Sequence, residues 1–286
     1  MTSQKPDFLP TFTKTWNTSP TPSISPTRPE LSAKGKVVVI TGGGTGIGAS
    51  IALSFAKAGA SAIGLVARRA EKLQETQAAI QKAVPGAKIQ YALADVADLS
   101  ALQSAFQELS SSFGKIDELV FSAGYLNNPA TIMDSDPEDW WKTEKITILG
   151  IFNTIRAFVP LASSDAQLIN ITSAIAHIPS TTFFGMSAHA SSKIASAKIV
   201  EFAGNELKDK GIRVVNVQPG VVSTDTNTRF GLDTGNFCVW LASKEATFLN
   251  GKFVFVNWDV DELKQRMEEI EKNPTLLTLT LEGPVF

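Results

Sequence analysis

Short runs of β-branched and other apolar residues alternate with longer amphipathic stretches along most of the chain, and this alternation limits the folds it can adopt. The first two runs, at 37–40 and 62–66, flank a stretch at 46–58 whose apolar residues recur with helical spacing. Later runs predict further strands at 88–92, 116–121, 167–171, 213–217 and 253–256. The remaining amphipathic stretches predict helices at 70–84, 100–113, 137–159, 187–208 and 259–271.

A strand that is regularly followed by a helix indicates a parallel sheet, because the chain must cross back over the sheet before each new parallel strand. We therefore predict an α/β fold, a Rossmann-type doubly wound parallel sheet of about seven strands with helices on both faces. The sequence contains no internal repeat and no sign of a second core, so residues 33–286 are predicted to form a single domain.

The first 32 residues differ in composition from the rest and are predicted to form an N-terminal arm rich in Pro, Ser and Thr. They contain six of the 14 prolines, namely Pro6, Pro10, Pro20, Pro22, Pro26 and Pro29. Proline favours extended and turn conformations over packing into a core. Phe8, Phe12 and Trp16 are candidates for docking on the domain, but the favoured interpretation is a surface strap without a part in the chemistry.

Charge and composition exclude several classes of partner. With 26 Lys and Arg against 28 Asp and Glu, the net charge is -2, so we expect neither nucleic acid nor an anionic membrane as a partner. No apolar stretch approaches the roughly 18 residues of a membrane span. With one cysteine, Cys238, and two histidines, His177 and His189, we expect no metal site and a cytoplasmic, reducing location.

A glycine-rich turn, TGGGTGIG at 41–48, connects the first predicted strand to the first predicted helix. Glycines permit the tight turn and let the backbone approach a pyrophosphate at the N-terminus of the helix. A glycine cluster alone is weak evidence of a function. Its position between a strand and a helix makes nucleotide binding the favoured interpretation.

The turn resembles the TGxxxGxG motif of the short-chain dehydrogenase/reductase family, and the resemblance extends from about residue 35 to residue 258. Ala94-Asp95-Val96, Ser122-Ala123-Gly124 and Pro219-Gly220 with Thr224 resemble further family segments, and the arm and the C-terminal region resemble a fungal branch. The resemblance implies a nicotinamide cofactor. The expected cofactor-binding residues are Gly42, Gly44, Thr45, Gly46, Ile47, Arg68, Arg69, Asp95, Val96, Ser122, Ala123, Gly124, Lys193, Pro219, Gly220, Val222 and Thr224.

The end of the second predicted strand indicates which nicotinamide cofactor is bound. An acidic side chain there would hold a ribose 2′-hydroxyl, whereas a basic one would accept a 2′-phosphate. The chain has Ala67, Arg68 and Arg69 at this point, and a guanidinium suits a phosphate. We therefore expect NADP (NADPH) rather than NAD, with Arg68 as the phosphate contact.

The catalytic positions depart from the family pattern, which pairs a Ser with YxxxK. Ser173 and Lys193 match the serine and the lysine, but His189 stands where the tyrosine would be, and Thr147 stands where the family has an Asn. Positions four apart lie on one face of a helix, so the imidazole is expected to occupy the place of the phenol. Ser173, His189, Lys193 and Thr147 are thus the candidate catalytic residues.

Three roles remain open for His189. It could replace the phenol as a general acid, since imidazole commonly does acid–base work. The reaction could instead need no proton donor, as when hydride goes to an iminium carbon. Finally, His189 could only fill space in a protein that binds a cofactor or partner without turnover.

The expected substrate pocket is apolar. Tyr125 follows the fourth predicted strand and is expected to be an aromatic wall, although it could also supply a displaced phenol. Phe183, Phe184 and Met186 lie between Ser173 and His189 and suit a bulky hydrophobic substrate. The segment 225–236 is where the family places a substrate lid, with Gly231 and Gly235 as candidate hinges.

Together with the resemblance, these observations predict an NADPH-dependent, short-chain reductase-like enzyme of fungal secondary metabolism that acts on a carbonyl or iminium group of a hydrophobic small molecule. Alternatives are a non-redox isomerase, dehydratase or cyclase, including a pericyclase, on the same scaffold, and a catalytically silent cofactor-binding module. The resemblance also implies a homodimer or homotetramer, joined through the helix that bears His189 and the helix before it.

Overall fold

The computed structural model describes residues 5, 7–220 and 228–281, and the described residues contain a seven-stranded sheet. All neighbouring strands are parallel, in the order β3-β2-β1-β4-β5-β6-β7. The strands are β1 Val37–Thr41, β2 Ala62–Ala67, β3 Ile89–Leu93, β4 Ile116–Phe121, β5 Ala162–Ile171, β6 Arg213–Gln218 and β7 Phe253–Phe255. This topology confirms the predicted doubly wound α/β fold.

Helices cover both faces of the sheet because successive side chains of a strand point to opposite sides. On β1, Val38 and Ile40 pack in a core with Phe55, whereas Val39 belongs to a separate core with Phe106. The helices are α1 Gly46–Lys57, α2 Ala70–Ala83, α3 Leu99–Phe113, α4 Pro137–Glu144, α5 Gly150–Phe158, α6 Ser187–Glu206, α7 Thr228–Leu241, α8 Val260–Gln265 and α9 Met267–Lys272.

The strand order reverses next to β1, and this is where a ligand crevice is expected in such a sheet. Thr41 at the end of β1 is in register with Val66 of β2 on one side and with Phe121 of β4 on the other. The glycine turn after β1 and the segment after β4 therefore lie side by side at the carboxyl edge of the sheet.

Two predicted helices are interrupted. The single helix predicted at 137–159 contains a π-helical turn at Lys145–Leu149 between α4 and α5, which a count of apolar residues does not reveal because it widens only one turn. The helix predicted at 259–271 is divided at Arg266 into α8 and α9. At this break, the Arg266 guanidinium lies over the ring of Phe12 and donates a hydrogen bond to the Phe12 carbonyl. The residue that separates α8 from α9 is therefore in contact with the N-terminal arm.

The candidate lid hinges Gly231 and Gly235 both lie inside α7, where a helix rather than a loop is found, and Gly235 packs against α1. A Cβ atom at this position would approach the Oγ of Ser54 and lie 2.8 Å from the carbonyl oxygen of Ser50. The glycine thus permits the close approach of α7 to the helix that follows the glycine turn. Residues 225–227 of the predicted lid lie outside the described residues.

The arm lies against the C-terminal part of the domain. Asn17 donates through its backbone amide to the carbonyl of Asn257 at 2.7 Å, and the Asn257 side chain donates back to the Asn17 carbonyl at 2.7 Å. Leu9, Ile24 and Leu31 are buried in the same hydrophobic core as α1 and α7. The arm therefore contributes side chains to the core of the domain.

Within the described ranges, the helices are too short or too polar to cross a membrane.

We predict that Gly235→Ala destabilises the protein. Helix propensity alone would favour alanine by about 1 kcal/mol, but overpacking typically costs about 1–3 kcal/mol. The clash should dominate because one of the crowded atoms is a backbone oxygen 2.8 Å from the new methyl group. Urea unfolding should show a lower free energy of unfolding than the parent protein; an unchanged or higher value would contradict the packing role.

Candidate active site

A cavity of about 720 Å³ lies at the carboxyl edge of the sheet and extends from the glycine turn to an apolar end. It brings together nearly all the predicted cofactor residues. Those that line it are Gly42, Gly44, Thr45, Gly46, Ile47, Arg68, Arg69, Asp95, Val96, Ser122, Ala123, Gly124, Lys193, Pro219 and Gly220. Val222 and Thr224 lie outside the described residues.

The glycine turn forms a backbone cradle that side chains would fill. Gly42 and Gly46 have φ angles of 71° and 55°, a conformation that other residues seldom adopt. A Cβ on Gly42 would lie 2.8 Å from the backbone nitrogen of Ala123, and one on Gly48 would collide with the carbonyl of Gly42. Among the described contacts, the Thr45 side chain does not cap α1. The N-terminus of α1 is therefore suited to a pyrophosphate, and these residues fit a dinucleotide.

A basic rim lies beyond this turn. Arg68 and Arg69 follow β2 and are exposed, and Lys72 in the first turn of α2 also lines the cavity. The Arg68 guanidinium lies 3.8 Å from the Asp95 carboxylate, and Lys72 pairs with Glu75 at 2.7 Å. The sequence did not indicate Lys72, because the position of Lys72 at the cavity depends on how α2 is oriented relative to the glycine turn.

Lys193 on α6 is buried beneath the cavity with only 8% of its surface exposed. Its ammonium group donates to the carbonyl of Ile171 at 3.0 Å, and burial lowers its pKa to about 8. Ser173 lies two residues after the end of β5, and its Oγ accepts a hydrogen bond from the amide of Ile175 at 3.4 Å. Both side chains line the cavity, as the sequence predicts.

His189 lies one turn before Lys193 on α6 and also lines the cavity. Burial and the positive charge of Lys193 together lower its pKa to about 4. Its Nδ1 atom is buried and has no hydrogen-bond partner among the described residues. The imidazole is consequently neutral near pH 7.

Thr147 does not line the cavity with these three residues. It lies within the π-helical turn, is 1% exposed and does not belong to the described lining of the cavity, although its neighbour Ile146 does. Its Oγ1 is buried without a partner among the described residues. The arrangement therefore gives Thr147 no direct access to a substrate.

Tyr125 lines the cavity, but its phenol is already engaged. The hydroxyl donates to Asp139 at 2.6 Å, and the Lys142 ammonium lies 4.1 Å from the ring centroid. The hydrogen bond to Asp139 is the main reason that the pKa of Tyr125 is raised. Asp139 also accepts from the backbone of Asn128 at 3.0 Å. These contacts make Tyr125 an aromatic wall and a poor proton donor.

The apolar end of the cavity contains Phe183 and Met186, as predicted, but not Phe184. Phe184 is 82% exposed and does not belong to the described lining, whereas the adjacent Phe183 does. Phe8 and Leu9 of the arm also line the cavity. The sequence did not predict that Phe8 and Leu9 line the cavity, because they are far along the chain from the other lining residues and belong to no motif.

His177 does not line the cavity, and its ring packs edge-on against Phe253 with centroids 5.1 Å apart. Among the described residues, no group of three or more His, Cys, Asp or Glu side chains is arranged to hold a metal ion.

Comparison with known proteins identifies relatives along most of the chain. A sequence model of the family described as short chain dehydrogenase matches residues 36–234. The short chain dehydrogenase pigC of Monascus ruber is 33% identical over 278 residues, which cover 89% of each chain. The short chain dehydrogenase/reductase nsrO of Aspergillus novofumigatus is 32% identical over 271 residues, covering 88% of this chain and 90% of the relative.

Solved structures agree with this assignment. A dehydrogenase/reductase from Sinorhizobium meliloti superposes with a TM-score of 0.72 and 26% identity, covering 82% of this chain and 96% of the other. A short-chain dehydrogenase/reductase from Serratia marcescens gives a TM-score of 0.71, also with 26% identity, over 78% of this chain and 96% of the other. With the glycine turn, the parallel sheet and the family match in agreement, the chain belongs to the short-chain dehydrogenase family.

Proposed function

We propose that the protein is a cytoplasmic, NADPH-dependent reductase of a hydrophobic small molecule, acting in fungal secondary metabolism. Fungal relatives and the apolar end of the cavity support this proposal. The preferred substrate carries an acceptor carbon that is already activated, as in an iminium ion. The observation that carries this choice is the surroundings of His189 in the cavity, where its Nδ1 is buried without a hydrogen-bond partner among the described residues and burial lowers its pKa to about 4.

The basic rim supports NADPH over NADH. Arg68, Arg69 and Lys72 supply three cations at the end of β2, against the carboxylates of Asp95 and Glu75. The 3.8 Å separation between Arg68 and Asp95, both well exposed, is too long for a hydrogen bond and leaves the guanidinium available to a 2′-phosphate.

When bound, the cofactor supplies a hydride to the substrate. Addition of a hydride to a ketone produces an alkoxide, which needs a proton, whereas addition to an iminium carbon produces a neutral amine. The neutral imidazole of His189 is a weak acid near pH 7, and the hydroxyl of Tyr125 already donates its proton to the Asp139 carboxylate. Reduction of an iminium substrate avoids that requirement.

Lys193 and Ser173 position the reactants in this proposal. The Lys193 ammonium is anchored to the carbonyl of Ile171 and retains further N–H groups for the ribose of the cofactor. Ser173, two residues after β5, offers a hydroxyl to the polar group of the substrate. Neutral His189 contributes shape and excludes water next to the reacting carbon.

Replacing Arg68 tests the cofactor choice. Arg68→Asp should raise the NADPH dissociation constant by about 100-fold, because a charge-assisted contact is lost and a repulsion is introduced, while changing NADH affinity by about threefold or less. Fluorescence titration measures both constants. Lys82→Asp makes the same charge change at the far end of α2 and should leave both nearly unchanged. Equal affinities of the parent protein for NADPH and NADH would refute the assignment.

Replacing His189 tests the type of substrate. With N-methyl-3,4-dihydroisoquinolinium as the iminium substrate, His189→Phe should retain turnover within about threefold and keep its NADPH affinity. The parent rate should show no titration near the ordinary histidine pKa of 6.5, because the pKa of His189 is about 4. His189→Tyr should gain reduction of 2-decalone, since it provides a phenol beside Lys193. Stopped-flow absorbance of NADPH measures these rates.

Several outcomes would change the proposal. A loss of about 100-fold or more in His189→Phe, with a pH limb that disappears in the variant, would identify the imidazole as a general acid. Lys193→Met should weaken cofactor binding in either case. A parent protein that binds NADPH but does not oxidise it with iminium or ketone substrates would favour a non-redox enzyme.

We also propose a homodimer or homotetramer formed through α6 and the helices packed on it. Exposed apolar side chains lie on these elements, with Phe202 and Ile194 eight residues apart on α6 and Phe152 on α5. Residues eight apart lie on the same side of a helix, so Ile194 and Phe202 are exposed on one side of α6, with Lys198 between them. A partner copy that packs on this side would remove both apolar side chains from water.

Phe202→Glu should dissociate the oligomer, because a carboxylate would be buried in an apolar interface. Light scattering at micromolar concentration should give the monomer mass for this variant and a dimer or tetramer for the parent protein. Ile132→Glu, which changes another highly exposed apolar residue, should keep the parent mass. A monomeric parent protein would overturn the proposed association.

A further inference from the structure

The N-terminal arm reaches the substrate end of the cavity. Phe8 and Leu9 both line it, although the match to the family ends at residue 36 on the N-terminal side. The contribution of these two residues to the pocket therefore comes from outside the region that the family shares.

Phe8 and Leu9 are placed differently. Leu9 is 3% exposed and belongs to the hydrophobic core, and its carbonyl accepts a hydrogen bond from the Lys5 ammonium at 2.7 Å. Phe8 is 39% exposed and meets the ring of Phe183 edge-on, with centroids 5.5 Å apart and an interplanar angle of 83°. Leu9 thus anchors the chain, and the ring of Phe8 is left at the mouth of the cavity.

The residues that follow hold this part of the arm in place. The ring of Phe12 lies 3.4 Å below the Arg266 guanidinium and 5.9 Å from the Trp258 ring. The backbone amides of Lys14 and Thr15 donate to the Glu262 carboxylate at 2.6 and 3.0 Å. Because these contacts begin four residues after Phe8, its ring is presented from a fixed support.

We propose that Phe8 is a specificity-determining residue, which together with Phe183 binds the flat apolar face of the substrate. An edge-on aromatic pair offers a ring face and a ring edge to a third apolar group. Phe183 is 46% exposed, so both rings keep surface that a bulky substrate can cover and a small one cannot. This inference rests on the proposed function only in taking the apolar end of the cavity as the substrate site.

A purely structural strap would not need an aromatic ring at position 8. The side chains that anchor the arm are buried: Leu9 and Thr13 are each only 3% exposed. Phe8 instead leaves more than a third of its surface open beside the apolar lining of the cavity. Its position favours contact with a ligand over support of the fold.

The test measures binding without turnover, using 2-acetylnaphthalene as a bulky flat ketone and cyclohexanone as a small one, in the presence of NADP⁺. Phe8→Ala should raise the dissociation constant of 2-acetylnaphthalene about tenfold in calorimetry, since it removes an aromatic contact and apolar area. Cyclohexanone binding should change by less than about twofold, and Phe8→Trp should restore most of the lost affinity. NADPH affinity should stay at the parent value.

Phe184→Ala is the matched control, because it removes the same side chain from a position next to Phe183 that does not line the cavity. It should keep the parent affinities for both ketones. Circular dichroism and the thermal midpoint should show that each variant is folded. Equal effects of Phe8→Ala and Phe184→Ala, or a folded parent protein that does not bind 2-acetylnaphthalene, would overturn the proposal.

The outcome is separable from that of the proposed reductase activity. If the parent protein binds 2-acetylnaphthalene in a Phe8-dependent way but oxidises no NADPH with any electrophile, the role of Phe8 stands and the reductase proposal fails. If NADPH is oxidised but the Phe8 variants bind both ketones like the parent protein, the reductase proposal stands and the role of Phe8 fails.

Discussion

The close backbone approach between the glycine turn and the segment after β4 is the constraint on which the site depends. Gly48 lies against the carbonyl of Gly42, and Gly42 lies against the backbone of Ala123, with no room for a Cβ at either glycine. This approach brings the N-terminus of α1 to the point where the strand order reverses, so that its partial positive charge faces the cavity. Gly235 lets α7 pack tightly on α1, and this packing holds α1 in place.

The proton states of His189 and Lys193, at the other end of the cavity, follow mainly from the burial of each side chain. The Lys193 ammonium group is held by one carbonyl, that of Ile171, and its charge adds to burial in lowering the pKa of His189 to about 4. Folding therefore sets the proton state of the imidazole, which in the unfolded chain has a pKa of 6.5. A lowered histidine pKa contributes stability that is present above 6.5 and is lost as the pH falls through about 4.

The contacts that the sequence could not predict connect residues far apart along the chain. The guanidinium of Arg266, at a break between two helices, lies over the ring of Phe12. The carboxylate of Asp139 accepts a hydrogen bond from the hydroxyl of Tyr125. The rings of Phe8 and Phe183 pack edge-on. None of these pairs produces a periodicity or a motif, because each depends on the angle at which two segments meet. The same reason explains the wrong assignment of Phe184, since a sequence pattern does not tell which of two adjacent rings faces a cavity.

The sequence by itself determined the alternation of strands and helices, the parallel sheet, the glycine turn and the positions of Ser173, His189 and Lys193. These features depend on local spacing, which repeats with the geometry of a strand or a helix and can be read along the chain. The tertiary structure alone decided that Thr147 does not line the cavity, that the pKa of His189 is lowered and that the arm reaches the apolar end of the cavity. Burial and contact between distant segments decide those properties, because they exist only once the chain has packed.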